Sequence, residues 1–211
     1  MPIIMAYGDS NIHGTPPITT RGVYARYDAG TRWPCRMAKI LGQGWELVEE
    51  GLPGRTTCFD DPMMGDHMNG VIGLRIALNS HGPLDYMVLM LGTNDVKARF
   101  GASAVRIVAG IAGLVDMAFG PEMVGRHPGL KILLVAPPPV QELGPLAGEF
   151  LGAAAKGRAL APLLAGYAAA RGLGFLDASS VLETSPTDGI HFEPEGHAAL
   201  ATAVAAAITA L

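Results

Sequence analysis

Two runs near the middle of the chain, Tyr86-Met-Val-Leu-Met-Leu and Ile132-Leu-Leu-Val-Ala, contain no charged and no strongly polar position. A strand with one wet face alternates apolar and polar residues. A strand apolar throughout is covered on both faces, as in a parallel sheet held between two layers of helices. Three shorter β-leaning runs, 3–7, 45–49 and 174–177, join the longer ones at 85–91 and 130–136. Helical patterns fall between and after them, at 33–41, 69–81, 102–119, 146–171 and 194–211. Pro194 suits a first helical turn, and Glu195 then lies near the positive end of the helix dipole. This alternation predicts one α/β domain over residues 1–211, a three-layer α/β/α fold around a flavodoxin-like five-stranded parallel sheet. In such open sheets ligands bind beyond the carboxyl ends of the strands.

Composition excludes several classes. Apolar residues make up 49% and charged residues 16% of the 211, which suits a packed core and not a disordered chain. The net charge of -4 and the lack of any basic run argue against nucleic acid as a partner. No segment offers about 18 uninterrupted apolar residues, so no membrane span is expected. The opening Met-Pro-Ile-Ile-Met-Ala-Tyr carries no signal-peptide pattern, and a cytoplasmic protein is the expectation. Cys35 and Cys58 form no C-x-x-C arrangement and are expected as free thiols. His13, His67, His81, His127 and His197 show no ligand-like spacing; neither a metal nor another cofactor is expected. His197 is placed on the surface of the last helix.

Four short segments carry chemistry, and each follows a predicted strand or lies near the end of the chain. Gly8-Asp9-Ser10 would present a serine hydroxyl at the sheet edge; alone it reads equally well as a helix N-cap. A serine needs a base to take its proton. Asp188-Gly-Ile-His191 can supply one, because a carboxylate three residues away can fold back to hold Nδ1–H and leave Nε2 free. Gly54, in Leu52-Pro-Gly-Arg, brings a backbone N–H close, and Asn94, in Gly92-Thr-Asn-Asp, adds a side-chain amide. With the Ser10 N–H these could bind a developing oxyanion. Singly, Asn94-Asp95 reads as a helix cap and Gly54 as a turn; the set of four is what points to catalysis. Asp9 and Asp95 are expected to order their own loops.

Tyr7-Gly-Asp-Ser10, Gly54, Gly92-Thr-Asn94-Asp95 and Asp188-Gly-Ile-His191 resemble the four blocks of the SGNH, or GDSL-type, hydrolases, and they bracket almost the whole chain. Glu49-Glu-Gly-Leu-Pro-Gly-Arg-Thr-Thr57, Met90-Leu-Gly-Thr-Asn-Asp-Val-Lys97 and Val135-Ala-Pro-Pro-Pro139 are similar to the bacterial arylesterase/acyltransferase and carbohydrate acetylesterase branch. The resemblance implies Ser10, His191 and Asp188 as nucleophile, base and orienting acid. It implies Ser10, Gly54 and Asn94 as the oxyanion hole, and hydrolysis of short acyl esters of small molecules, with transfer to alcohols in some members. It also implies a homo-oligomer, commonly an octamer, whose neighbouring subunits narrow the entrance. One departure is Asn11-Ile12-His13, where the family usually has an apolar residue after the serine.

His13, Asn11, Arg55 and Pro138 are the further candidates for contact with substrate; for Arg55 the alternative is to orient the Gly54 loop. Two long connections remain. Residues 15–31 contain Pro16, Pro17, Arg21, Tyr24, Arg26 and Tyr27, and loops of this length are usually functional or at an interface. Residues 137–145 begin with three prolines, which predict a stiff wall. Other readings stay open: a lysophospholipase or thioesterase, a non-catalytic carbohydrate-binding relative, and a flavodoxin-like binding module. Against the last stands the absence of G-x-G-x-x-G or G-x-x-x-x-G-K-[ST] after any strand.

Overall fold

Each strand of the sheet divides its side chains between two separate cores, which is how the apolar runs are used. A computed structural model describes residues 1–211. Five strands, β1 (Ile3–Gly8), β2 (Glu46–Gly51), β3 (Tyr86–Met90), β4 (Lys131–Ala136) and β5 (Gly174–Asp177), form one parallel sheet in the order β2-β1-β3-β4-β5. Met5, Tyr7, Met87, Leu89, Ile132 and Leu134 point to one face; Ile4, Ala6, Val88, Met90, Leu133 and Val135 point to the other. The first set packs on helices α3 (Gly70–Ser80), α4 (Ala104–Ala118) and α6 (Ala153–Arg171). The second packs on α2 (Trp33–Leu41) and α7 (Pro194–Thr209). Two short helices, α1 (Ser10–His13) and α5 (Pro121–Arg126), complete the set. This is the expected three-layer α/β/α architecture.

The strand order reverses beside β1. Its partner on one side is β2 and on the other β3, so the crevice between the ends of β1 and β3 is the topological switch point where such sheets bind ligands. Register holds three strand ends level there. Gly8 pairs with Gly51 of β2 and with Met90 of β3. The segments that follow, starting at Asp9, Leu52 and Leu91, therefore leave the sheet side by side.

The helices differ from expectation in one bound, one additional short helix and one buried side chain. The expected helix at 146–171 starts only at Ala153, after a 3-10 turn at Ala147–Glu149. Its first N–H groups are satisfied from outside: the Glu142 carboxylate accepts from Gly152 N–H (3.0 Å) and Ala154 N–H (3.1 Å). A cap ten residues away is invisible to a local pattern. Helix α5 was not anticipated; at six residues it carries too little periodicity to register. The placement of His197 on the surface is corrected: it is fully buried, in the same helical stripe as Ala201, Val204 and Ile208. Its Nδ1 accepts from Trp33 N–H (3.3 Å), and its ring stands edge-on to Tyr27 and Phe192. Burial first, then the positive charges nearby, hold its imidazole down to about 4, so it is neutral. Cys35 and Cys58 are free thiols. No helix is long and apolar enough to cross a membrane.

Helix α3 starts against the loop that follows Arg55. A Cβ on Gly70 would lie 2.5 Å from the Thr56 carbonyl oxygen and 2.8 Å from that of Thr57, both backbone atoms that cannot swing aside. Tyr7 Oη also donates to the Gly70 carbonyl (2.5 Å). Gly70→Ala is expected to lower unfolding free energy by about 1–3 kcal/mol, the usual cost of overpacking. A urea titration checks this; an unchanged midpoint would mean that helix and loop separate freely.

Candidate active site

Ser10 opens α1, and the residue that caps this helix is Asp9. The Asp9 carboxylate accepts from Asn11 N–H (3.0 Å), which leaves the Ser10 hydroxyl free of capping duty. That hydroxyl instead donates to His191 Nε2 (3.0 Å). His191 Nδ1–H donates to Asp188 Oδ2 (2.6 Å). Residues 181 positions apart thus meet in one hydrogen-bonded chain. Asp188 Oδ1 accepts from Ile190 N–H (2.9 Å) and His191 N–H (3.0 Å), and Oδ2 also accepts from Ile18 N–H (2.7 Å). Burial alone would raise the Asp188 carboxyl; the bonds from His191 and from the backbone N–H groups outweigh it and hold the group below the usual carboxylate range. A carboxylate so placed fixes the imidazole tautomer with Nε2 as acceptor, the form that can take a hydroxyl proton.

The turn that carries Asp188 and His191 is stitched to itself and backed from outside. Gly189 N–H donates to the Ser185 carbonyl (2.7 Å), and Ser185 N–H to that of His191 (2.8 Å). Gly189 takes φ +71, and any Cβ there would collide with the Gln141 carbonyl oxygen. Gln141 N–H donates to the Gly189 carbonyl (2.8 Å). The 137–145 segment meets this turn through Gln141 and Gly144. Pro138 lies buried at the exit of β4.

The candidate oxyanion donors come from the two neighbouring strand ends. Gly54 takes φ +94, and its Cβ position is covered by the Met64 and Met68 side chains. Neither Ser10 N–H nor Gly54 N–H donates to any protein group. One N–H of the Asn94 amide donates to the Arg55 carbonyl (3.1 Å), which orients the group and leaves its second N–H available. The loops carrying Gly54 and Asn94 are joined again by Asp95, whose Oδ1 accepts from Thr57 N–H (2.9 Å) and from the Thr57 hydroxyl. No local pattern announces this Thr57–Asp95 bond, because the two lie 38 residues apart.

The suggested substrate contacts Asn11, Arg55 and His13 each make hydrogen bonds within the protein. Asn11 is buried; its side-chain amide donates to the Ile190 carbonyl (3.3 Å), and its backbone carbonyl accepts from Trp33 Nε1 (3.0 Å). It ties the serine helix to the histidine turn. The buried guanidinium of Arg55 donates to the carbonyls of Gly8 (2.9 Å) and Glu50 and lies 4.2 Å from the centre of the Tyr7 ring. It holds the ends of β1 and β2, the orienting alternative. His13 Nε2 faces Tyr24 Oη (2.7 Å) on the 15–31 segment. Burial, then Arg26 and Arg32, keep its imidazole at about 4. Two further carboxyls lie behind the site: burial pushes both Asp9 and Asp95 up to about 6. No group of three or more His, Cys, Asp or Glu side chains is arranged to hold a metal ion.

The sequence model of the GDSL-like lipase/acylhydrolase family matches residues 6–199. The chain belongs to that family. Among solved structures, this GDSL-family protein is similar to the aryl esterase of M. smegmatis, at 35% identity over 100% of both chains with a TM-score of 0.94. It is also similar to a carbohydrate acetylesterase from Sinorhizobium meliloti, at 34% identity over 100% of this chain and 99% of the other, TM-score 0.94. A putative arylesterase from Agrobacterium tumefaciens shares 38% identity over 100% and 99%, TM-score 0.88. No curated protein sequence matches this family member significantly.

The raised carboxyls give a stability prediction of definite sign. Asp9 binds its proton more tightly in the folded than in the unfolded protein. Its contribution is fully present below the unfolded carboxyl pKa of about 3.9 and is lost as pH rises through about 6. Asp9→Asn keeps an oxygen for Asn11 N–H and removes the titration. Stability of the wild type relative to Asp9→Asn is therefore expected to fall between about pH 4 and about pH 7. Urea melts across that range check it; parallel curves would contradict the assigned burial effect.

Proposed function

We propose that this carboxylic ester hydrolase of the GDSL family cleaves short-chain acyl esters, acetyl esters first, of carbohydrates or aryl alcohols, and can pass the acyl group to an acceptor alcohol. The observation that carries the reading is the Ser10–His191–Asp188 chain with two unspent backbone donors, Ser10 N–H and Gly54 N–H, beside it. In the proposed reaction Ser10 Oγ attacks the ester carbonyl carbon while its proton passes to His191 Nε2. The carbonyl oxygen takes the negative charge and is met by Ser10 N–H, Gly54 N–H and the free Asn94 N–H. The intermediate collapses, the alkoxide leaves with the proton from His191, and an acyl-Ser10 remains. Water, activated by the same imidazole, releases the carboxylic acid; an alcohol in its place yields a new ester.

A small acyl group fits a nucleophile and base that are 5% and 3% exposed, and it fits the name of the similar carbohydrate acetylesterase. The reading extends to a homo-oligomer, an octamer by resemblance. Val23, Tyr24 and Met63 stand exposed on the 15–31 segment and on the loop beside Gly54, where a neighbour would narrow the entrance. Size-exclusion light scattering that returns a monomer would remove this extension.

Hydrolysis of p-nitrophenyl acetate tests the chemistry. Ser10→Ala is expected to abolish acyl-enzyme turnover, and Asn94→Ala to lower kcat roughly 10²–10³-fold. Undiminished turnover in Ser10→Ala would overturn the assignment. Acetyl, butyryl and octanoyl esters compared side by side test the acyl size; kcat/KM is expected to fall with chain length. A preference for octanoyl would favour the lysophospholipase or thioesterase reading instead.

A further inference from the structure

The 15–31 segment is a strap that leaves the serine helix and reaches the far side of the site. It is anchored at its base: Thr15 N–H donates to the Ser10 carbonyl (3.0 Å), Tyr27 N–H to the Gly14 carbonyl (2.8 Å), and Arg26 Nε to the His13 carbonyl (2.8 Å). The following Arg32 forks onto both oxygens of Glu49 (2.9 and 2.8 Å). Between these anchors the strap touches two other regions. Ile18 N–H donates to Asp188 Oδ2 (2.7 Å), the same oxygen that holds His191 Nδ1–H. Three residues on, Arg21 Nε donates to the Pro145 carbonyl (3.1 Å), and Arg21 Nη2 pairs with Glu149 (2.9 Å). Glu149 is itself held by Arg99 (2.7 Å), which pairs with Asp61 (2.6 Å) on the loop that carries Met64 over Gly54.

We infer that the strap positions the acid of the site: the Ile18 backbone N–H fixes Asp188 Oδ2, and docking of Arg21 on Pro145 and Glu149 keeps that N–H in place. The inference rests on the esterase reading proposed above. Its physical basis is the orientation of the carboxylate. Ile190 and His191 N–H groups both hold Oδ1, so Ile18 supplies the one bond outside the 185–191 turn that restrains Oδ2, the atom facing the imidazole. A hydrogen bond to a charged acceptor is short and strong, and it carries no cost in side-chain entropy when the donor is backbone. Ile18 and Arg21 are positioning residues; neither is required to touch substrate.

Two variants test this. Ile18→Pro deletes the N–H and no other donor. It is expected to lower kcat for p-nitrophenyl acetate roughly 10-fold, with KM within about twofold of the wild type. The NMR resonance of the His191 Nδ1–H proton, which reports its bond to Asp188, is expected to move. Arg21→Met alters an exposed side chain and so leaves folding intact. It is expected to lower kcat about 2- to 5-fold and to move the same resonance in the same direction, with Arg21→Lys closer to the wild type. Should Ile18→Pro fail to fold, the Arg21 pair decides. Wild-type kcat and an unmoved resonance in folded variants would overturn the inference. A wild type with no esterase activity would count against the proposed function instead, and the resonance alone would then judge the strap.

Discussion

The buried carboxylate of Asp188 is the constraint around which the site is assembled. A carboxylate removed from water must have its oxygens filled with donors, because the alternative costs several kcal/mol. Four N–H groups fill them here: Ile18 and the imidazole of His191 on one oxygen, the backbones of Ile190 and His191 on the other. Satisfying one anion therefore fixes the turn after β5, the tautomer and direction of the imidazole, and the far end of the strap at once. Ser10 completes the line because the capping of its helix is delegated to Asp9.

A second set of bonds performs the matching task for the donors opposite. The loops after β2 and β3 leave the sheet level with each other, and are joined by Asn94 to the Arg55 carbonyl and by Asp95 to Thr57. Arg55 in turn binds the last carbonyl of β1. Three strand ends become one rigid rim, and the N–H groups of Ser10 and Gly54 stay unspent on it. Preorganised donors of this kind need no rearrangement when charge develops. Their cost is visible nearby: Asp9 and Asp95, buried behind the rim, hold their protons up to about 6.

The architecture was legible because the signals that specify it are local. Runs such as Met87–Met90 and Ile132–Val135 have no polar side to show water, and that alone demands helices on both faces. The order Ser10, Gly54, Asn94, His191 could be read for the same reason: each lies in a short segment at the end of an element. His197 was misplaced although its signal was present, since it shares the i, i+4, i+7 stripe with Ala201 and Val204; a polar residue type outweighed the pattern. The late start of α6 had no local signal, its cap being Glu142.

What the sequence determined by itself was the set of chemical parts and the sheet that would carry them. Periodicity and turn residues act over a few positions, and those are enough to define strands, helices and the loops at their ends. Only tertiary structure decided which polar groups serve the site and which serve the frame. The residue types of Asn11 and Arg55 left their partners open until the Ile190, Gly8 and Glu50 carbonyls supplied them, and Ile18 carried no signal until its N–H met Asp188. A hydrogen bond across 170 residues is set by where the chain has been folded to, and a backbone N–H is the same in every residue but proline, so no residue type announces it.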